Sequence, residues 1–461
     1  MKSDTIAAIA TPIGLSSIGV IRVSGPKAFL VLQKIFFSKS GKKKDISKSS
    51  SHCVHFGIIK NKKDILDEVL VVVMKGPNSY TGDNTVEINC HGNPLILSKI
   101  LDLVNCNGAR LAQPGEFTRQ AFLNGKLDLT QAEAVMDVIS SRSDKALQAS
   151  LRVLQGEFSN KIQKISDNLK EILMYLEADI DFPEDGVPFL SQDKYIKNSG
   201  FVLNEIQNIL SSFSLGSMLR EGLYVVLTGY PNTGKSSLFN ALLKISKAIV
   251  TDIPGTTRDA LECKANFCGI PCNIIDTAGI HEGVDIIEQE GIRRAKEHLK
   301  SSHVIVFLVD GSREIYAEEK KFFKELIDLE EKYIIVAINK VDLAKTKYLK
   351  QIKDFFIGFK TVEISAKKLL NIQKLEEEII KSVGTGSVSL DIQYMLNARH
   401  KDAFLDIEKK LNEIKNKKID GAQEIIAFHI KEIMNLLGKI TGQTVNEEIL
   451  DMIFSRFCIG K

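Results

Sequence analysis

The spacing of apolar residues changes several times along the chain, and each change marks a different kind of element. Residues 18–23 and 69–74 read as β-like runs between Gly, Asn and Asp turns, punctuated by Pro12, Pro26, Pro77, Pro94 and Pro114. An α+β domain over residues 1–120 is predicted. No proline occurs from Gly115 to Phe182, and apolar residues there fall at helical spacing: Ala132, Val135, Met136, Ile139, then Leu147, Leu151, Leu154. Pro183 and Pro188 interrupt the pattern, which resumes to about Leu219, so residues 121–221 read as helical. Residues 223–227, 272–275, 304–309, 333–338 and 361–364 are instead short apolar runs, broken only by Asn273, Thr361 and Glu363, and read as buried strands. They define a compact α/β domain over residues 222–383, closed by the linker Gly384-Thr385-Gly386-Ser387. Residues 384–461 turn helical again, with Ile425, Ile426, Ile430, Ile433, Met434 and Leu437 on one face. Helices apolar on one side do not stand alone in water. The two helical flanks are therefore expected to pack on each other, with the α/β domain inserted into a discontinuous helical domain. Two separate helical modules are the alternative on the residues alone.

The loops after the apolar runs carry the chemistry. Gly229-Tyr230-Pro231-Asn232-Thr233-Gly234-Lys235-Ser236-Ser237 fits G-x-x-x-x-G-K-[ST], between an apolar run and a helix start. In that pattern glycines let backbone N–H groups close on phosphate oxygens and the helix N-terminus favours the anion. Lys235 reaches the outer phosphates, and the Ser236 hydroxyl ligates Mg²⁺. Asp276-Thr277-Ala278-Gly279, Asn339-Lys340-Val341-Asp342 and Ser365-Ala366-Lys367 follow later runs. A carboxylate at Asp342 accepts from N1–H and the 2-amino group of guanine, a donor pair that adenine lacks. Ordered loops at strand ends are where a doubly wound sheet binds its ligand, and the joint pattern is that of a Ras-like P-loop guanine-nucleotide domain. The segment Thr251-Asp252-Ile253-Pro254-Gly255-Thr256-Thr257-Arg258-Asp259 lies where a switch loop belongs. Position 280 is Ile, where many small GTPases carry a water-orienting Gln. Either the domain hydrolyses poorly or another group holds the water; Glu282, Asp285, Glu288 and Glu290 are the nearby carboxylates, and spacing does not choose between them.

Composition narrows the partners. The chain has 461 residues, with Lys+Arg 61 against Asp+Glu 58. That near balance gives no global basic field, so any RNA contact is local. Lys42-Lys43-Lys44 reads as a solvated loop. The seven cysteines lack framework spacing, which fits free thiols in a reducing cytoplasm. Cys263, Cys268 and Cys272 flank a hairpin around Gly269-Ile270-Pro271 rather than form a metal site. No apolar run approaches the roughly 18 residues that span a membrane, no signal peptide is expected, and the Cys458-Ile459-Gly460-Lys461 ending is a poor prenylation box.

Further stretches carry a resemblance to a known family. They are Asp4-Thr5-Ile6-Ala7-Ala8-Ile9-Ala10-Thr11-Pro12; Tyr80-Thr81-Gly82 with Cys90-His91-Gly92; Pro114-Gly115-Glu116-Phe117; and Ala121-Phe122-Leu123-Asn124-Gly125-Lys126-Leu127-Asp128-Leu129. Gly255-Thr256-Thr257-Arg258-Asp259 and the terminal Phe457-Cys458-Ile459-Gly460-Lys461 complete the set. Over essentially its whole length the chain resembles the MnmE (TrmE) family of tRNA modification GTPases.

The resemblance implies an N-terminal domain that binds 5-formyl-tetrahydrofolate or a related one-carbon folate and forms the homodimer. It implies GTP hydrolysis in the cytoplasm, in complex with the FAD protein MnmG. The product is an aminomethyl-type group, carboxymethylaminomethyl included, at C5 of the wobble uridine of certain tRNAs. Asn232 matches a potassium-ligating asparagine, joined by oxygens at Thr251, Ile253 and Thr256. Held there, one K⁺ per subunit offsets charge developing between β- and γ-phosphates, in place of an arginine finger. Glu288 matches the catalytic carboxylate that orients water indirectly, and Ser236 and Thr257 match the Mg²⁺ ligands. Arg22, Glu87, Lys126 and Lys461 match folate-contacting positions, and Cys458 a terminal cysteine with either a functional or a structural role. One departure is Pro254, where many members carry a small residue; proline stiffens the loop but leaves the ligating carbonyls in place. A ribosome-assembly GTPase switch is the rival reading, and a GTPase coupled to a membrane or scaffold protein is a third.

Overall fold

The computed structural model describes residues 4–43, 45–141, 143–182, 191–245, 262–276, 298–299, 302–327, 332–383, 393–415, 417 and 422–461. The chain divides into two compact units, one of Met1–Met136, Val153–Glu205 and Asp402–Lys461, the other of Asp137–Arg152 and Ile206–Lys401.

The first unit opens with a 7-stranded sheet. Its elements in chain order are β1 (Ile6–Ile9), β2 (Ser16–Ser24), α1 (Ala28–Ile35), β3 (Phe36–Phe37), β4 (Cys53–Asn61), β5 (Asp64–Met74), β6 (Thr85–Gly92), α2 (Pro94–Cys106) and β7 (Arg110–Leu111). The strands lie in the order β3-β4-β5-β6-β2-β1-β7, with β1 and β7 parallel and the other neighbours antiparallel. Asn93 caps α2 by accepting from the Leu95 N–H, and Pro94 fits its first turn because no N–H is needed there. Alternation along each strand assigns the faces. Ala7, Ile21, Val23, Val71, Val73, Val86 and Ile88 share a core with α1 and α2. Ile6 and Ala8 face the other way, against Phe117 of α3 (Glu116–Leu123). Arg22 and Glu87 are cross-strand partners on this second face.

Helices α4 (Leu129–Ser140), α5 (Asp144–Leu154), α6 (Glu157–Asp181) and α7 (Gln192–Glu221) follow. The second unit is built on β8 (Leu223–Gly229), α8 (Lys235–Ile245), β9 (Glu262–Phe267), β10 (Ile270–Asp276), β11 (Val304–Asp310), α9 (Ala317–Ile327), β12 (Tyr333–Asn339), α10 (Thr346–Phe355), β13 (Lys360–Glu363) and α11 (Ile372–Val383). The sheet order is β13-β12-β11-β8-β10-β9, parallel throughout except the β9–β10 hairpin. Two cores explain the unbroken apolar runs. Val304, Val306 and Leu308 enter one with Leu223, Val225, Leu227, Ile335 and Ala337. Ile305, Phe307 and Val309 enter the other with Val226, Val336 and Ile338. Parallel strands covered on both faces have no polar side to alternate with.

The C-terminal helices are α12 (Ala398–Ile414), α13 (Gln423–Thr441) and α14 (Glu447–Phe454). α13 packs along α6, each with a buried stripe at helical spacing: Ile162, Ile165, Leu169, Ile172 and Leu176 on α6, Ile426, Ile430, Ile433 and Leu437 on α13. The buried Tyr195 hydroxyl donates to Ile414 O at 2.7 Å, and Phe158 meets Phe404 edge-on at 6.2 Å. Leu450, Ile453, Phe454 and Phe457 pack with Leu129, Ala132 and Val135. No helix among the described residues is long and apolar enough to cross a membrane.

The close approach of the tail to α3 depends on Gly115. It has φ +68, and a Cβ there would lie 2.6 Å from Phe454 O and 3.0 Å from the Phe457 Cβ. Gly125 has a similar φ of +67 with nothing within 4 Å. Gly125→Ala should therefore cost only the left-handed backbone penalty, about 1–2 kcal/mol, and Gly115→Ala that plus about 1–3 kcal/mol of overpacking. Urea denaturation of the two variants checks this; equal losses would contradict it.

Candidate functional site

In the second unit the ends of β8, β10, β11 and β12 deliver Gly229, Asp276, Asp310 and Asn339 to one edge of the sheet. The loop after β8 turns through positive φ at Gly229 (148), Asn232 (63) and Gly234 (96) before α8 begins at Lys235. Such a loop entering a helix directs backbone N–H groups and the helix dipole at an anion. Lys235 Nζ donates to Gly229 O at 3.0 Å and Tyr230 O at 3.1 Å. Burial pushes its pKa below the usual lysine value, partly offset by Asp276. The Thr233 hydroxyl closes the turn on Tyr230 O at 2.8 Å. Ser236 and Ser237 are exposed on the first turn of α8.

Asn339, 2% exposed, joins two of the loops. Its Nδ2 donates to Thr233 O at 2.8 Å, and its Oδ1 accepts from Ala366 N at 3.0 Å. Gly234 allows this approach, since a Cβ there would lie 2.4 Å from Asn339 Nδ2. Lys340 takes a left-handed conformation (φ 62), and Nζ reaches Asn232 O at 2.8 Å and Asp310 Oδ2 at 2.6 Å. Asp342 stands exposed on the single-turn helix Val341–Leu343. Ser365 is buried and bonded backbone-to-backbone with Leu370, while Lys367 is exposed. The structure thus brings together Asn232, Thr233, Gly234, Lys235, Asn339, Lys340 and Ala366. Thr251, Asp252, Ile253, Pro254, Gly255, Thr256, Thr257, Thr277, Ala278, Gly279 and Glu288 lie outside the described residues.

Asp310 was not singled out from the sequence. Ser312 N and Oγ donate to its Oδ1 at 2.9 and 2.6 Å. Burial raises its pKa, but the bonds from Lys340 and Ser312 outweigh that and hold it below the ordinary carboxylate range. The available signal was an acidic residue ending a buried parallel strand.

A second cluster lies on the open face of the first unit's sheet. Arg22 Nε donates to Glu87 Oε1 at 2.9 Å, and Arg22 Nη1 to Gly460 O at 3.1 Å. The Arg22 guanidinium lies 5.7 Å from the ring centres of both Tyr80 and Phe117. Gly460 (φ +97) permits the tail to touch β1, because a Cβ would lie 2.5 Å from Ile9 O. Burial, then the nearby Arg22 charge, push the Lys461 ammonium below its usual pKa, and Glu87 opposes this. Two cations around one carboxylate suit an anionic ligand. Lys126 is exposed and sits by Gly82, where a Cβ would lie 3.4 Å from Lys126 Cγ. Cys458 is exposed, and its carbonyl accepts from Lys461 N at 3.3 Å.

Asn339→Ala should strip partners from Thr233 O and the buried Ala366 N–H. A loss of about 1–3 kcal/mol in the nucleotide-free protein is expected, read as a lower denaturation midpoint. An unchanged midpoint would show that the amide does not hold the loops together.

Two family models match the chain: GTP-binding protein TrmE N-terminus over residues 5–126, and MnmE helical domain over residues 129–458. The tRNA modification GTPase MnmE of Thermoanaerobacter pseudethanolicus is 42% identical over 466 residues, covering 100% of both chains. That of Aquifex aeolicus is 42% identical over 461 residues, covering 99% of this chain and 100% of the relative. Among solved structures, Aquifex aeolicus Era bound to GDP·AlF4⁻ is 29% identical over 41% of this chain and 66% of that one, with a TM-score of 0.30. From the match over its full length, the chain belongs to the MnmE (TrmE) family of tRNA modification GTPases.

Proposed function

We propose that this protein hydrolyses GTP and, with an FAD-dependent partner of the MnmG kind, installs an aminomethyl or carboxymethylaminomethyl group at C5 of the wobble uridine of certain tRNAs in the cytoplasm. The observation that carries the GTPase part is the buried Asn339 amide, which ties the phosphate loop to the 365–367 loop beside Asp342. The tRNA part rests on full-length similarity to the MnmE relatives. Asp342 then accepts from the guanine edge, Lys235 and the α8 N-terminus hold the phosphates, and Ser236 with Thr257 would hold Mg²⁺, which supplies charge neutralisation at the phosphates. Glu288 orients the attacking water.

Asn232, with Thr251, Ile253 and Thr256, would hold K⁺, which supplies positive charge beside the phosphates. The left-handed Asn232, with its main-chain oxygen engaged by Lys340, leaves the exposed side-chain amide for this role. Faster turnover in KCl than in equal NaCl is expected, and equal rates would reject the ion.

Arg22, Glu87, Lys126 and Lys461 would hold a one-carbon folate such as 5-formyl-tetrahydrofolate. The neighbouring cations Arg22 and Lys461, which repel one another, support an anionic ligand there, and Glu87, ion-paired with Arg22, suits a donor edge of a pterin. The same domain forms a homodimer. The insertion of a G domain at residues 222–383 into a helical domain of residues 121–221 and 384–461, after an N-terminal domain of residues 1–120, is supported by the shared core of α6 and α13.

Nucleoside mass spectrometry of tRNA from cells lacking this protein tests the function. Loss of C5 aminomethyl-type groups is expected, restored by the wild type but poorly by Glu288→Ala. Removal of residues 457–461 should leave GTP hydrolysis mostly intact yet abolish restoration. Unchanged modification in the deletion strain would reject the tRNA reading and favour a ribosome-assembly switch.

A further inference from the structure

Asp310 lies opposite Asn339 in the β11–β12 register, at the ends of both strands. Its two oxygens are divided between different tasks. Oδ1 is fixed by Ser312 N and Oγ, whereas Oδ2 faces Lys340 Nζ at 2.6 Å. Lys340 uses a second donor on Asn232 O at 2.8 Å. A lysine side chain has several soft torsions and is costly to hold in one geometry. The rigid carboxylate at a strand end supplies what holds this one. Asn232 is itself a non-glycine residue in the left-handed region (φ 63), a conformation that asparagine tolerates better than most residues and that surrounding contacts can enforce. The bond from Lys340 to its carbonyl is such an enforcement.

We propose that Asp310 is a positioning residue for the nucleotide: it fixes Lys340, and through Lys340 fixes Asn232, so that the base-side loop and the phosphate loop are set as one piece. The inference rests on the guanine-nucleotide reading of the site. Neither Asp310 nor Ser312 need touch the ligand. The carboxylate acts through the lysine, so its loss should be felt on the phosphate side, at a residue that it does not contact. A neutral Asp310→Asn side chain keeps the shape and the turn with Ser312 but weakens its hold on the ammonium. The bond from Lys340 stays charge-assisted on the donor side but loses the attraction between opposite charges.

The test measures release of a fluorescent GDP analogue, and the K⁺ concentration giving half-maximal GTP turnover, for wild type, Asp310→Asn, Lys340→Gln and the double variant. Asp310→Asn should speed GDP release on the order of tenfold. It should raise the half-saturating K⁺ concentration while leaving the maximal rate within about twofold, because the reacting groups remain in place. The double variant should match Lys340→Gln alone, since both changes break one chain of contacts. Wild-type GDP release in Asp310→Asn, or additive losses in the double variant, would overturn the proposal. If wild type turns over equally in K⁺ and Na⁺, the ion reading fails, and the GDP-release arm still decides on Asp310. Should Asp310→Asn lower the unfolding temperature, Ser312→Ala replaces it. That variant frees Oδ1 from the hydroxyl and should accelerate GDP release in the same direction by a smaller factor; wild-type release there would also overturn the proposal.

Discussion

Parallel pairing of β8, β10, β11 and β12 is the constraint on which the nucleotide site depends. Parallel strands end at one edge, and their register places Leu308 opposite Gly229, Asp276 opposite Leu227 and Asp310 opposite Asn339. The register is locked because each strand feeds alternate residues into different cores: Val304, Val306 and Leu308 into one, Ile305, Phe307 and Val309 into the other. A one-residue slip would exchange these sets and bury the wrong shapes on both faces. The polar residues that follow the apolar runs are thus carried to fixed places by packing that none of them contributes. Side-chain bonds then finish the site, with the buried Asn339 amide and the Lys340 ammonium spanning the gaps between loops.

The first unit solves a similar problem with a terminal segment. Arg22 and Gly460 are separated by 438 positions, yet they are joined by a hydrogen bond. Apolar anchors do the placing: Phe454 and Phe457 settle against Leu129, Ala132 and Val135. Glycines at 115 and 460 allow the backbone to come close enough. What arrives at the sheet is positive charge. Lys461 joins Arg22 around a single carboxylate, which ties the sheet face and the end of the chain into one anion-suited cluster.

Local chemistry was legible in the sequence, and non-local register was not. The apolar runs at 223–227, 304–309 and 333–338, and the run at 272–275 that only Asn273 breaks, are strands because continuous burial leaves no polar period, and each lies within β8, β10, β11 or β12. The hairpin around Gly269-Ile270-Pro271 is the β9–β10 turn. The phosphate-loop residues announced themselves through glycine spacing, since only certain residues accept the required backbone angles. Asp310 did not, because a lone aspartate after an apolar run also reads as an ordinary turn. Its partnership with Lys340 exists only once β11 and β12 are paired. Likewise Arg22 and Glu87 become neighbours through the β2–β6 register, and Tyr80 and Phe117 flank Arg22 through packing that no spacing reveals. The family resemblance, rather than periodicity, drew attention to Arg22, Glu87 and Lys461.

The loops at the end of this sheet are proposed to form a site selective for guanine, with Asp342 reading the base. The most direct measurement is the affinity of an Asp342→Asn variant for GTP and for xanthosine triphosphate. An amide at this position suits a base carrying an oxygen at C2, so weakened GTP binding and improved binding of xanthosine triphosphate are expected. A variant that still prefers GTP would contradict this.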